Sequence, residues 1–218
     1  MIFQDRRDAG RLLAGVVAKL HDLRDAVVLG IPRGGVLVAF EVARELNLPL
    51  DIFIVRKLGV PGQEELAMGA IASGGAVVTN QSIVQTLNIS PEAIEAVAKR
   101  EKLEIERREH AYREGNPPLP IEGKIAILID DGLATGATML AAVRALRPRA
   151  RKVIGAVPVA AESICSELRS EVDWMICATT PQLLLAVGMF YRDFAQTTDE
   201  EVRTLLSQAR NQKGARVA

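Results

Sequence analysis

The sequence predicts an α/β fold, in which a central parallel sheet is covered by helices on both faces. Short apolar segments alternate with amphipathic segments along most of the chain. Several apolar segments, such as residues 26–31 and 124–129, are almost continuously apolar and rich in β-branched residues, which is typical of parallel strands that are buried on both faces. Hydrophobic residues make up 49% of the 218 residues and charged residues 25%, as in a folded globular protein.

Length and charge limit the classes of function. We expect a single domain over residues 1–218, with an inserted flexible or helical region at about 58–120. The 27 Lys and Arg residues balance the 27 Asp and Glu residues, so no net field attracts nucleic acid or an anionic membrane. A small-molecule partner is therefore expected, with no nucleic-acid and no membrane partner.

Two further expectations come from the apolar runs and the cysteines. No apolar run approaches the roughly 20 residues that cross a bilayer, and the N-terminus lacks the pattern of a secretion signal, so a cytoplasmic protein is expected. Cys165 and Cys177 have no C-x-x-C spacing. We therefore expect both to be inert core residues.

The first half of the chain predicts two strands and two helices before the inserted region. Residues 5–23 place leucine and valine side chains at the spacing of one helix face, with charges opposite. Residues 26–31 form a β-branched run that predicts a strand, residues 36–47 have helical character, and residues 51–55 predict a second strand. The expected order is helix, strand, helix, strand.

The inserted region predicts a hairpin followed by a long helix. Residues 66–72 and 76–79 are expected to be antiparallel strands, joined through two glycines. Ser90 followed by Pro91 is a strong helix start, with serine as the N-cap and proline at the first helical position. The helix should run to about Glu114, with a thin apolar stripe that packs on one side only.

The second half of the chain again alternates strands and helices. The predicted strands are residues 124–129, 152–159 and 172–178. The predicted helices are residues 138–146, 161–169 and 198–208, the last with a Thr-x-x-Glu capping pattern.

The segment DDGLATGAT follows the strand at residues 124–129 and carries the main functional signal. Ligands of parallel sheets bind beyond the carboxyl ends of the strands. Backbone amides of a small-residue loop at a helix N-terminus can surround a phosphate, while two adjacent carboxylates can accept hydrogen bonds from vicinal hydroxyls. A ribose 5-phosphate has both groups. The alternative is an ordinary strand-to-helix turn in which Asp131 is only a helix cap.

The 13 residues AILIDDGLATGAT resemble the phosphoribosyl pyrophosphate signature of type I phosphoribosyltransferases. The resemblance implies that Asp130 and Asp131 are catalytic residues that hold the ribose 2- and 3-hydroxyls. It also implies that the loop after them binds the 5-phosphate through Gly132, Leu133, Ala134, Thr135, Gly136, Ala137 and Thr138. The order of features along the chain is similar to the branch of predicted phosphoribosyltransferases whose acceptor is unassigned.

Two other segments resemble the pyrophosphate-binding parts of the same family. Arg33, Gly34 and Gly35 follow the first strand, where the family has a loop with a strained, sometimes cis, peptide. A glycine-rich turn without function is the alternative. Arg56 and Lys57 are expected at the carboxyl end of the strand at residues 51–55, as catalytic cations that stabilise the leaving pyrophosphate. The alternative is an ordinary pair of solvated basic residues.

Residues 187–194 resemble the hood segment of purine-type members. Phe190 or Tyr191 would stack on an acceptor ring, and Arg192 would contact the pyrophosphate. Asp193 would bind a magnesium ion through a water molecule. A packing cluster at a helix start is the alternative interpretation.

The predicted activity is transfer of a phosphoribosyl group to a nucleobase-like acceptor with release of pyrophosphate, Mg2+ being the cofactor. The sequence has no G-x-S-x-G, H-E-x-x-H or G-x-G-x-x-G motif, which disfavours serine hydrolases, zinc hydrolases and dinucleotide-binding folds. A regulatory protein that binds phosphoribosyl pyrophosphate or a nucleotide without turnover is the alternative. It is less favoured because no helix-turn-helix extension or basic stripe is evident. Assembly as a homodimer is left open.

Overall fold

Strands and helices alternate along the chain, and the computed structural model describes them over residues 2–214. In chain order the elements are α1 (Arg6–Val17), β1 (Ala26–Gly30), α2 (Gly34–Leu46), β2 (Leu50–Ile52), β3 (Val55–Val60), β4 (Gln63–Ala72), β5 (Val77–Thr79), α3 (Gln81–Thr86), α4 (Pro91–Arg113), β6 (Ile125–Ile129), α5 (Ala137–Leu146), β7 (Lys152–Val159), α6 (Glu162–Arg169), β8 (Trp174–Thr179) and α7 (Asp199–Gly214). A short 3-10 helix, Val187–Phe190, lies between β8 and α7.

Five largely apolar segments form the central sheet, in the order β2-β1-β6-β7-β8 with all neighbours parallel. Every residue of β1, β2 and β6 is buried, which agrees with the apolar composition of β1 and β6 and includes the charged Asp51 of β2. The register pairs Gly30 of β1 with Ile129 of β6. The predicted parallel sheet is confirmed, and the loops that follow β1 and β6 leave the sheet side by side.

Helices cover both faces of the sheet, as predicted. Side chains on β1 alternate between two hydrophobic clusters: Val28 belongs to one, and Val27 and Leu29 belong to the other. The first cluster includes residues from α1, α2, α4 and α7, and the second includes residues from α5 and α6. Within residues 2–214, no helix combines the length and the apolar character that a membrane crossing requires.

The inserted region contains a second sheet, in the order β3-β4-β5 with antiparallel pairing. The predicted hairpin of β4 and β5 is confirmed, whereas the strand predicted at residues 51–55 is corrected. β2 ends at Ile52, and a new strand begins at Val55. Between them, the backbone N–H of Ile54 donates to the Ser73 hydroxyl at 2.8 Å. Arg56 and Lys57 therefore lie inside the antiparallel sheet, not at the end of a parallel strand. Apolar continuity alone could not locate this break.

The long helix α4 begins and ends as its sequence predicts. The hydroxyl of Ser90 accepts a hydrogen bond from the Ala93 amide at 3.2 Å, and the chain leaves the helix at Glu114 in a left-handed conformation. At this end the buried Arg113 donates from Nε to the buried Asp51 Oδ1 at 2.8 Å. This buried ion pair attaches α4 to the edge strand β2 of the central sheet.

The two cysteines are not separate core thiols, which corrects the expectation from sequence. Cys165 of α6 and Cys177 of β8 form a disulfide that encloses a segment with a sequence separation of 12. Helix α6 packs back against β8, and this contact brings the two side chains together. Their spacing matches no sequence signature, so only the fold reveals the pairing.

Candidate functional site

Asp130 and Asp131 lie at the carboxyl end of the central strand β6. The Asp131 amide donates to Asp130 Oδ1 at 2.8 Å, so the two residues form a tight turn. The chain then crosses toward β7, where the Leu133 amide donates to the Val159 carbonyl at 2.9 Å. Gly136 has a φ of +70° and leads directly into α5. The loop from 132 to 138 is therefore anchored at both ends, and its middle faces solvent.

The amino end of α5 is the part of this loop that faces solvent. Ala134, Thr135, Ala137 and Thr138 are exposed. The first amides of a helix have no partner within the helix, and they carry the positive end of its dipole. Two exposed hydroxyls thus lie at the amino end of a helix, where the backbone amides suit a phosphate group.

Burial perturbs both carboxyl groups of the acid pair. Loss of water around Asp130, and then repulsion by the Asp131 carboxylate, raise the pKa of Asp130 well above its ordinary value. Burial also raises the pKa of Asp131, while a hydrogen bond from Arg6 acts in the opposite direction. Keeping two adjacent carboxylates ionised here is unfavourable without a positive or hydrogen-bonding partner.

Arg6 is such a partner, and the sequence analysis missed it. It is the first residue of α1, and its side chain is only 10% exposed. Its Nε donates to Asp131 Oδ2 at 2.7 Å, its Nη1 donates to the Ala195 carbonyl at 2.8 Å, and its guanidinium carbon lies 3.8 Å from the centre of the Phe194 ring. Arg6 and Asp131 are 125 residues apart in sequence, and no local pattern connects them.

The loop between β1 and α2 packs directly against the acid pair. A cis peptide joins Pro32 and Arg33, where the resembling family has a strained peptide. A Cβ atom on Gly34 would overlap Asp131 Oδ2. A Cβ on Gly35 would lie 2.7 Å from the Ile129 carbonyl oxygen and 2.8 Å from the Asp130 Cα. The close approach of the two loops therefore requires glycine at both positions.

Three predicted cations are engaged by other acids in this structure. Arg33 Nη1 lies 3.9 Å from Asp199 Oδ1 at the start of α7. Arg56 donates through Nε and Nη2 to Glu101 Oε2 of α4 at 2.9 and 2.6 Å. The exposed Lys57 contacts the Glu65 carboxylate at 3.2 Å. The acidic partners of all three thus lie outside the acid pair.

Lys57 nevertheless faces a cavity that reaches the loop after Asp131. A cavity of about 640 Å³ lies between the antiparallel sheet and α5, and its wall includes Lys57, Ala137 and Thr138. Small ligands occupy cavities of roughly 300–1,000 Å³. The structure therefore leaves ample room beside the loop.

Tyr191 packs against the loop that carries Asp131. Its hydroxyl donates to the Asp131 carbonyl at 2.6 Å, and its ring contacts Phe3 and Phe194 at centroid distances of 5.3 and 4.9 Å. Burial, followed by the charge of Asp131, raises the pKa of Tyr191, which remains neutral. Phe190 lies half-buried beside it, and its carbonyl accepts from the Phe3 amide at 2.8 Å.

Arg192 and Asp193 are exposed at the edge of the same segment. The Asp193 carboxylate accepts from the Ala195 amide at 3.0 Å and borders a cavity of about 180 Å³ that Arg6 also lines. Over residues 2–214 no group of three or more His, Cys, Asp or Glu side chains is arranged to hold a metal ion.

Known proteins share this architecture and sequence. Residues 3–182 match the family described as the phosphoribosyl transferase domain. Two proteins from two strains of Mycobacterium tuberculosis, whose names give them as candidate phosphoribosyl transferases, are each 46% identical over 209 residues, which is 95% of this chain and 47% of theirs. The chain spans about half the length of these curated relatives. A solved protein from Thermus thermophilus is 40% identical with a TM-score of 0.85, covering 95% of this chain and 99% of its own.

Proposed function

The chain belongs to the phosphoribosyl transferase family, and on that premise we propose that it transfers the 5-phosphoribosyl group of phosphoribosyl pyrophosphate to a nucleobase-like acceptor. Pyrophosphate is released, and the reaction depends on Mg2+. The observation that carries this proposal is the packing of the Gly34–Gly35 turn directly against Asp130 and Asp131. A ribose-binding acid pair and a pyrophosphate loop must be neighbours, because the groups that they bind are attached to one sugar ring.

The acid pair and the loop after it divide the phosphoribosyl group between them. Asp131 uses Oδ2 to accept from Arg6, which leaves Oδ1 for a ribose hydroxyl. Asp130 likewise has Oδ2 available beyond its bond to the Asp131 amide. The amides at the start of α5, with the hydroxyls of Thr135 and Thr138, bind the 5-phosphate.

The pyrophosphate binds next to the turn between β1 and α2. The backbone of Gly34 and Gly35 lies there directly against the acid pair, because neither residue carries a side chain that would separate the two loops. Lys57 adds a positive charge from the cavity side. Arg56 contributes to the same function if it exchanges Glu101 for a phosphate oxygen, an exchange of one charged partner for another. These groups stabilise the charge that grows on the leaving oxygen.

The acid pair suits Mg2+ that arrives with the substrate. Mg2+ prefers oxygen ligands, and it is commonly held by one or two carboxylates together with substrate phosphates. Two buried carboxyls with raised pKa values need a positive partner, which such an ion supplies. When bound, Mg2+ neutralises pyrophosphate charge. Asp193 keeps one oxygen that can accept from a magnesium-bound water.

No protein nucleophile is required for this reaction. The bond from C1 of the ribose to pyrophosphate breaks, and a bond to the acceptor nitrogen forms, so the chain acts through position and charge. Phe190 and Arg192 border the acceptor side. Tyr191 contributes by holding the Asp131 carbonyl, because its ring is enclosed by Phe3 and Phe194.

The site assignment is tested with the double variant Asp130→Asn and Asp131→Asn. We expect it to lose measurable binding of phosphoribosyl pyrophosphate with Mg2+ in isothermal titration calorimetry, while its circular dichroism spectrum stays native. Asp22→Asn is the matched control, because Asp22 is an exposed aspartate that also pairs with an arginine. Unchanged affinity in the double variant would contradict the proposed site.

Turnover is tested separately from binding. Pyrophosphate release is measured with phosphoribosyl pyrophosphate, Mg2+ and a panel of purines, pyrimidines and other nitrogen heterocycles. Release with at least one acceptor supports the transferase. Tight binding without release for any acceptor supports the alternative of a regulatory protein that binds the ligand as a signal.

A further inference from the structure

Arg6 joins three parts of the molecule that are distant in sequence. It lies on α1, its Nε contacts Asp131 after β6, and its Nη1 contacts the carbonyl of Ala195 in the segment before α7. The Phe194 ring covers the guanidinium group at 3.8 Å. A planar group held by two hydrogen bonds and one stacked ring has a fixed orientation.

The position of Arg6 also fixes the position of the carboxylate that it contacts. The Asp131 side chain is 16% exposed, and its Oδ2 lies 2.7 Å from Arg6 Nε. Gly34 is packed so closely that an added Cβ would overlap Asp131 Oδ2 and lie 2.8 Å from Arg6 Nε. Oδ2 of the carboxylate is thus held between a cation and a backbone, and the ion pair with Arg6 leaves Oδ1 unused.

We propose that Arg6 is a positioning residue of the phosphoribosyl site, which supplies the counter-charge of Asp131 and orients its free oxygen toward the ribose hydroxyls. This inference rests on the proposed function, since it assumes that Asp131 binds the ribose. Arg6 acts through Asp131 and does not contact the substrate. Through its contacts with Ala195 and Phe194, Arg6 also connects the loop that carries Asp131 to the segment next to the proposed acceptor site.

The charges around Asp131 favour this role. The groups that act on it are Arg6 from α1 and Asp130 from its own loop, with the neutral Tyr191 hydroxyl on its carbonyl. Arg6 is the cation that contacts this pair directly, through the 2.7 Å hydrogen bond from its Nε to Asp131 Oδ2. Removing the guanidinium would leave two buried carboxyls next to each other without that cation.

The test compares Arg6→Gln, Arg6→Lys and the control Arg11→Gln, which removes an exposed arginine of the same helix. Affinity for phosphoribosyl pyrophosphate with Mg2+ is measured by calorimetry, and the Asp131 carboxyl is titrated by 13C NMR in the free protein. Arg6→Gln should weaken binding by about 10- to 100-fold, the size of loss that is typical when the hydrogen-bond partner of a metal-binding side chain is removed. It should also move the carboxyl titration to higher pH, whereas Arg11→Gln should change neither quantity.

Each outcome decides a separate point. Weaker binding without a change in the Asp131 titration would indicate a merely structural role and would overturn the inference. Arg6→Lys keeps the charge but lacks the rigid planar fork that fixes both hydrogen bonds, so the Asp131 titration should stay close to that of the wild type while affinity falls several-fold. Wild-type affinity in Arg6→Lys would overturn the orienting role. This test does not depend on whether Arg6→Gln folds. Failure of the wild type to bind would instead overturn the proposed function, and the titrations would still identify the counter-charge.

Discussion

Gly34 is the position at which a single methyl group should damage the site most clearly. It lies at the start of α2, where the chain turns against the acid pair. A Cβ atom built on Gly34 overlaps Asp131 Oδ2 and lies 2.8 Å from Arg6 Nε and 2.8 Å from Asp131 Cγ. Gly34→Ala must therefore displace either the carboxylate or the backbone of one of the two loops.

The magnitudes indicate which of these two displacements occurs. Separating Arg6 from Asp131, which are 10% and 16% exposed, breaks a buried ion pair at a cost of about 3–5 kcal/mol. Shifting a backbone to accommodate one extra methyl group costs about 1–3 kcal/mol. The smaller cost prevails, so we expect the free energy of unfolding to fall by about 1–3 kcal/mol. Misplacement of reacting groups by about 1 Å can cost on the order of 100-fold in rate.

Gly15→Ala provides a control with the same chemical change, for which we expect the free energy of unfolding to rise instead of fall. Gly15 lies within α1, it is exposed, and an added Cβ would meet no atom within 4 Å. Alanine should stabilise the helix by about 0.5–1 kcal/mol. Urea unfolding gives both free energies, and calorimetry gives the affinity for phosphoribosyl pyrophosphate. If Gly34→Ala were as stable as the wild type and bound the ligand equally well, the packing of the turn against Asp131 would be refuted.

Three further predictions concern the acid pair, its support and the disulfide. Because the folded-state pKa of Asp130 is raised, the stability that its protonated carboxyl contributes is present below the ordinary aspartate range and is lost as the pH rises through the raised value. Asp130→Asn should therefore raise the free energy of unfolding at neutral pH by roughly 1–3 kcal/mol, but not near pH ~3. Urea unfolding at both pH values measures the difference. Tyr191→Phe removes the 2.6 Å bond to the Asp131 carbonyl and should lower stability by about 1 kcal/mol and weaken ligand binding; an unchanged unfolding midpoint would speak against that bond. Reduction of the Cys165–Cys177 disulfide should lower the free energy of unfolding by about 2–4 kcal/mol, and equal stability of the oxidised and reduced protein would exclude a stabilising role.

Most of the fold could be predicted because its signals are local. β1 and β6 are continuously apolar, and the start of α4 has serine and proline in the capping positions. At the start of α7, Thr198 and Glu201 form the reciprocal capping bonds that the Thr-x-x-Glu pattern predicts. The break between β2 and β3 was missed because it depends on the contact of Ile54 with Ser73, which is 19 residues away.

Residues of the candidate site could likewise be predicted where their signal is local in sequence, but not where it depends on a distant contact. The loop that carries Asp130 and Asp131 could be located because its function requires consecutive residues of a few types, and the structure places Gly34 and Gly35 against it. Arg6 could not be found, because an arginine at the start of a helix is ordinary in sequence. Its contact with Asp131 exists only after α1 has packed on the sheet.

The charges of the ligand-free site indicate how strongly the affinity for the proposed substrate should depend on Mg2+. Asp130 and Asp131 are buried side by side, and Arg6 compensates for one charge through one oxygen of Asp131. A ribose offers hydroxyl donors but no positive charge, so it can satisfy the remaining oxygens without removing the repulsion. A ligand that brings a cation does both. The proposed substrate should therefore bind far better as its Mg2+ complex than alone, and binding of that complex should release protons from the acid pair, which calorimetry in buffers of different ionisation enthalpy would measure. Equal affinity with and without Mg2+ would show that the basic side chains of the site provide sufficient positive charge without the ion.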